Sequence, residues 1–303
     1  FDVEAAYASA LRNGSVYSVN NGKNSYSGRA HMDGMVFLGY VPQDGVTGGW
    51  GGDEFSFSWS MEGSGTDFAI ASMAKYLRDK AELGSEAWQK YNDEYLYFTA
   101  RATNYVNLFN ESMGGWFRAK KSDGTWLQTD EQFDPTAQGY GYCEDNAYNY
   151  AFPPYDGQGL ANLYGMARDK DGRTALGDKL DEAYAAESTA NPGSWTGHKE
   201  NWEGRDAKQG QVHMTNQPAH HIPYMYLYTD RPWRTAEFVR DTLKLTKTEI
   251  RSITRFERGE ALICSNNSKV PVIIKASKEE QEMITTDRAE LEAILKERQQ
   301  EAD

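Results

Sequence analysis

Cysteine is scarce. Cys143 and Cys264 are the two present in 303 residues, and one possible pair is not a disulfide framework, so cysteine usage leaves the compartment open. Cationic side chains are short as well: 32 Lys and Arg stand against 45 Asp and Glu, for a formal net charge of -13. A chain this acidic argues against a nucleic-acid partner, because that binding needs Lys and Arg to displace counterions from phosphates. No apolar run approaches the ~20 residues of a membrane span, so no membrane partner is expected. The chain begins with Phe1 rather than Met and carries no signal-peptide pattern, which reads as a processed, truncated or excised chain.

Aromatic rings, by contrast, are abundant: 8 Trp, 19 Tyr and 12 Phe make up 13% of the residues. Such richness suits either a ring-built core or a surface that presents ring faces to a ligand, sugars especially. The rings are unevenly spread. Residues 243–303 hold one aromatic, Phe256, one glycine, Gly259, and no Trp, Tyr or His. A composition break that sharp marks a boundary between two structural units, 1–242 and 243–303. No Gly/Ser/Pro-rich linker marks the joint, and "RDTLKLTKTEIRS" could run through it as helix.

The first unit alternates helical patterns with glycine-rich loops. In "TDFAIASMAKYLRDKAEL" the apolar residues Phe68, Ile70, Ala71, Ala74 and Leu77 recur at about the helical period. "SEAWQKYNDEYLYFTARATNYVNLF" repeats it through Trp88, Tyr91, Tyr95, Phe98, Ala102 and Tyr105, with Ser85 as N-cap. The short turn at Gly84 predicts that the two helices pair antiparallel. "RTALGDKLDEAYAAES" and "PWRTAEFVRDTL" read as further helices, the second with Pro232 in its first turn. In the tail, two apolar runs flanking Asn266 and Asn267 signal a β-hairpin, and "TTDRAELEAILKERQQ" a helix with Asp287 and Glu290 forming a capping box. The fold class is mainly α, with a small α+β appendage at the C-terminus.

One stretch concentrates chemistry. "GYGYCEDNAYNYAFPPYD", Gly139 to Asp156, sets the adjacent carboxylates Glu144 and Asp145 among six rings. Rings remove solvent from a carboxylate and raise its pKa, as a general acid working near neutral pH requires. The alternative is a loop carboxylate that bonds backbone.

Five stretches together give a resemblance: "LGYVPQDG", "TDFAIASMAK", "WFRAKKSDGTW", "CEDNAYNYAFPPYDGQGL" and "TNQPAHHIPYMYLYTDRPWRT". In this order they resemble the motifs of glycoside hydrolase family 92, the calcium-dependent α-mannosidases. The resemblance implies that 1–242 is part of an (α/α)6 toroid, lacking the β-sandwich that precedes it in the family. It implies an exo-acting, inverting α-mannosidase with a mannose-containing glycan as substrate, periplasmic or secreted. It marks Glu144 as general acid, and Asn146, Asp156, His220 and His221 as substrate-binding. Asn216 and Gln217 stand where the family places groups near calcium, Gln217 in place of the usual Glu.

For several of these residues a plainer role competes. Asp156 also fits a helix cap, the favoured reading, and each histidine fits a packed, hydrogen-bonded role equally well. "NQP" also fits a turn, and Trp116 and Trp126 are expected to pack rather than stack on sugar. The family's later "G-N-D-D-x-G" loop, source of the general base, is missing after the helix ending near Leu243. The tail from Arg255 instead resembles a C-terminal portion of type IV secretion, conjugative-transfer ATPases, without a Walker A motif. Three readings follow: an α-mannosidase impaired by truncation, a non-catalytic sugar-binding or incomplete fragment of a chimeric chain, or a conjugation-machinery fragment.

Overall fold

A computed structural model describes residues 2–16, 29, 31–44, 55–137, 139–143, 146–187, 210–212, 219–242, 245–253, 255, 260–265 and 268–273. The chain divides into two compact units, Phe1–Thr235 and Ala236–Asp303. Most of the described chain is helical, as the sequence predicts. Among the described residues no helix is long and apolar enough to cross a membrane.

In the first unit, α1 (Val3–Ser15), α2 (Met32–Phe37), α3 (Ser56–Lys80) and α4 (Glu86–Ala102) come first. Ser85 caps α4, its hydroxyl accepting from Trp88 N at 3.1 Å. Arg78 of α3 meets Asn92 and Tyr95 of α4, whereas Asp67, three turns earlier, meets Arg101. That reversed order makes α3 and α4 the predicted antiparallel pair. Helix α1 runs alongside α4 in the same direction, since Tyr7 bonds Glu94 and the Gly14 carbonyl accepts from Arg101. Between the three helices lie Tyr7, Ile70, Ala71, Ala74, Leu77 and Phe98.

Helix α3 begins ten residues before the pattern that announces it. "SFSWSMEGSG" precedes the apolar period that starts at Thr66, yet it is helical as well. Its hydroxyls bond back onto the helix, Ser60 to the Ser56 carbonyl and Thr66 to the Glu62 carbonyl, both at 2.9 Å. Serine side chains thus satisfy themselves locally and can be buried in a helix. Ser56, Ser58, Ser60 and Ser64 are all buried.

A second, ring-built core follows. The short strands β1 (Phe109–Asn110) and β2 (Trp116–Phe117) pair antiparallel. Around them pack Phe57, Tyr105, Tyr142, Tyr148, Phe152 and Tyr164, together with α5 (Gly157–Arg168) and α6 (Gly172–Ala185). Trp116 is 3% exposed and packs edge-on against Phe133 and Tyr148. Each large side chain buried this way contributes about 1.5–3 kcal/mol. A 3-10 helix, Ile222–Tyr228, closes against α5: Gly157 leaves room for the Tyr228 ring, which a Cβ there would strike.

Helix α7 (Arg234–Thr242) starts two residues after Pro232, not around it. The chain does not run through as one helix: Leu245 and Thr246 are non-helical, and α8 (Lys247–Ile253) starts afresh. Thr246 and Glu249 form a reciprocal capping box, with Thr246 N donating to the Glu249 carboxylate at 2.6 Å and Glu249 N to the Thr246 hydroxyl at 3.2 Å. The second unit also holds the predicted hairpin, β3 (Glu260–Ser265) antiparallel to β4 (Ser268–Ile273). The helix predicted from Thr285 lies outside the described residues.

Candidate active site

The ring-rich stretch is anchored at its start. Tyr142 is buried, donating its hydroxyl to the Phe117 carbonyl at 2.7 Å. The backbone turns through left-handed φ at Gly139 (90°), Tyr140 (54°) and Gly141 (94°). A Cβ at Gly141 would lie 2.8 Å from that of Phe57, so close approach and φ together require glycine. Ser58 of α3 then clamps the turn: its N–H donates to the Gly141 carbonyl at 3.0 Å, and its hydroxyl accepts from Cys143 N at 2.9 Å.

Past residues 144 and 145 the chain is held again. Asn146 is 1% exposed; its amide donates to Gln211 Oε1 at 2.8 Å and its oxygen accepts from Tyr148 N at 3.0 Å. Asn149 donates to the Gln211 carbonyl at 3.1 Å. Asp156 takes the capping role, accepting from Gly159 N at 2.9 Å and from the Tyr105 hydroxyl at 2.8 Å. This chelation of the first turn of α5 aims Pro153, Pro154 and Tyr155 back across α3.

Between these anchors lies a pocket of about 210 Å³. Met61, Glu62 and Gly65 of α3 form one wall; Asn149, Tyr150 and Phe152 to Tyr155 form the other. His221 completes it, its Nε2 donating to the Phe152 carbonyl. Tyr155 stacks on Phe68, with ring centroids 5.4 Å apart. The volume is below the roughly 300–1,000 Å³ of sites for drug-sized ligands, so it suits one small ring. Its surface is rings and prolines with few polar groups.

Glu62 is the acidic member of this lining. Much of its surface meets solvent, yet it stands in a concavity, and crowding by protein atoms raises its carboxyl above the usual range by desolvation. Sequence reading missed it because it sits in the Ser/Gly stretch. The signal was there: Phe57, Met61 and Phe68 extend the helical period of α3 backwards, and Glu62 then follows as a helix residue.

Of the residues singled out from sequence, the structure brings His221 to the pocket and places Asn146 one turn from it. His220 is exposed beside the start of the 3-10 helix. Glu144, Asn216 and Gln217 lie outside the described residues. Helix α3, the stretch after Cys143 and the double-histidine turn therefore meet at one pocket, although about 160 residues separate the first from the last.

Residues 1–249 match the glycosyl hydrolase family 92 catalytic domain. The chain belongs to that family. Its class of chemistry is therefore glycoside hydrolysis, and its substrate class a glycan. No curated protein is a close match to the chain. Family 92 enzymes generally depend on calcium, which calls for several hard oxygen donors. Among the described residues no group of three or more His, Cys, Asp or Glu side chains could hold a metal ion. The described lining of this pocket, with Glu62 as its acid, does not fit a calcium cage.

Proposed function

We propose that the family 92 unit takes the terminal mannose of a glycan into the pocket between α3, Asn149–Tyr155 and His221, as an exo-acting inverting α-mannosidase does. The carrying observation is the convergence of three distant stretches on a pocket of one-ring size, walled by rings and prolines. A sugar offers such walls its C–H face and leaves its hydroxyls for His221 and Asn149. Helix pairs α3–α4 and α5–α6 are read as part of an (α/α)6 toroid. Residues 243–303 are read as a separate appendage, related to conjugative-transfer ATPases.

In this reading Glu144 protonates the leaving oxygen. Calcium belongs near Asn216 and Gln217. Inversion needs a second carboxylate about 6.5–9.5 Å away, with water between. The sequence contains no "G-N-D-D-x-G" stretch to supply it. General acid–base catalysis typically supplies ~10²–10⁴-fold in rate. The chain by itself is therefore a weak catalyst or a non-catalytic sugar binder.

Hydrolysis of an activated aryl α-mannoside by the 303-residue chain, with calcium and with chelator, tests this. Turnover at the limit of detection alongside measurable mannoside binding is expected. Robust, chelator-sensitive turnover lost in Glu144→Gln would overturn the impaired-catalyst part. Absence of any mannoside binding would overturn the pocket itself.

A further inference from the structure

We propose that Glu62 is a substrate-binding residue, receiving a pair of sugar hydroxyls at the mouth of the pocket. This rests on the mannose-pocket reading and adds to it a residue that none of the sequence motifs singled out.

Three observations carry it. First, position: Glu62 lines the same pocket as Asn149, Tyr155 and His221, from the opposite wall. A ring held between the walls would present its edge hydroxyls to one of them. Second, isolation: Arg78, Arg101 and Arg118 are all paired elsewhere in the unit, to Asp79, Asp67 and Asp130. Desolvation is the one cause of the raised carboxyl, with no neighbouring charge or hydrogen bond offsetting it among the described residues. Nor is the side chain drawn into its own helix; the Glu62 carbonyl, not its carboxylate, takes the Thr66 hydroxyl. Third, rigidity: the backbone of α3 is pinned on either side of Glu62. Ser60 accepts from Val41 N at 2.8 Å, and Arg101 bonds Asp67 through two nitrogens. The backbone that carries the carboxylate is thus fixed before binding, and only the side-chain rotamers of Glu62 remain to be ordered.

The chemistry suits a polyol. A carboxylate has two oxygens able to accept from two adjacent hydroxyls, and charge-assisted bonds of this kind are roughly twice as strong as neutral ones. The pocket's other lining is mostly apolar, so removal of this acceptor leaves those hydroxyls facing rings and prolines. A desolvated carboxylate gains more from such donors than a solvated one.

Titration calorimetry of the full chain with methyl α-mannoside tests the proposal, alongside Glu62→Ala and Glu62→Gln. Alanine is the best helix former, and the position is exposed, so α3 is expected to survive; thermal unfolding checks this. The expected result is binding by the parent chain and at least about tenfold weaker binding by Glu62→Ala, with an unchanged unfolding midpoint. Glu62→Gln keeps an oxygen acceptor without the charge, and its affinity should fall in between. Equal affinity in all three proteins would overturn the role of Glu62 and leave the mannose pocket standing. No binding by the parent chain would overturn both. Should Glu62→Ala melt lower, the isosteric Glu62→Gln decides: parent-like affinity sinks the proposal, and weakened binding at an unchanged midpoint supports it.

Discussion

Lys179 is a costly side chain to bury. It is fully buried, with Nζ 2.9 Å from the Trp116 ring centroid and 3.2 Å from Glu182. Desolvation, with the nearby Arg168 charge adding to it, outweighs the pull of Glu182 on the ammonium and lowers its pKa to about 7. The unfolded chain holds that proton up to about 10.4. Unfolding therefore takes up a proton between pH 7 and about 10.4, and the stability of the fold rises with pH across that window. Below pH 7 the buried charge carries its full penalty. Lys179→Met should melt above the parent at pH 6, and the gap should close by about 1.4 kcal/mol per pH unit above 7. Unfolding curves at pH 6, 8 and 9 check this; a gap that does not vary with pH would refute it. Asp67 poses the opposite case. It is fully buried, and two guanidinium groups, Arg101 at 2.5 Å and Arg29 at 2.6 Å, converge on it. Asp67→Asn leaves two buried cations without their counter-charge and should destabilise the fold by about 3–5 kcal/mol, measurable by urea unfolding.

Among the elements, the turn before Glu144 and the starts of the helices depend on few atoms. Gly141→Ala combines a φ of 94° with a collision against the Phe57 Cβ, which sits on the backbone and cannot swing away. An unstrained Gly→Ala change would stabilise by up to about 1 kcal/mol; at this φ the change should instead destabilise by more than that, and it should also weaken mannoside binding, since Ser58 clamps this turn to α3. Loss of stability with unaltered binding would show the turn to be separable from the pocket. The two caps differ in legibility. Ser85 could be read from sequence because an apolar helical pattern follows it. The box of Thr246 and Glu249 was hidden in a charged stretch that could equally extend the helix before it, and reciprocal bonds from backbone N–H to side-chain oxygen broke that tie.

For the whole molecule, charge is the property sequence states without ambiguity. At -13, with a sequence pI near 4.9, like charges repel across the compact state at neutral pH. Raising sodium chloride from about 10 to about 150 mM shortens the screening length from roughly 30 to 8 Å. The unfolding midpoint should rise by a few degrees. A midpoint unmoved or lowered by salt would mean that the local ion pairs, Arg231 with Asp178 and Asp181 among them, outweigh the general repulsion.

Sequence alone determined the helical class, the α3–α4 pairing, the tail hairpin and the family, because these rest on local periods, caps and ordered motifs. It also placed Asp156 as a cap, since an acid directly before a helix has a local partner. What surrounds a carboxylate is different, because it depends on residues far along the chain. Glu62 was invisible in a Ser/Gly stretch until Ser60 and Thr66 turned their hydroxyls onto the helix and made α3 longer. Asn146, marked by motif as facing a sugar, is 1% exposed and bonds Gln211, 65 residues away. Tertiary structure alone decided that Met61, Tyr155 and His221 share one wall-to-wall space, because packing of distant rings, not any spacing along the chain, leaves a pocket open.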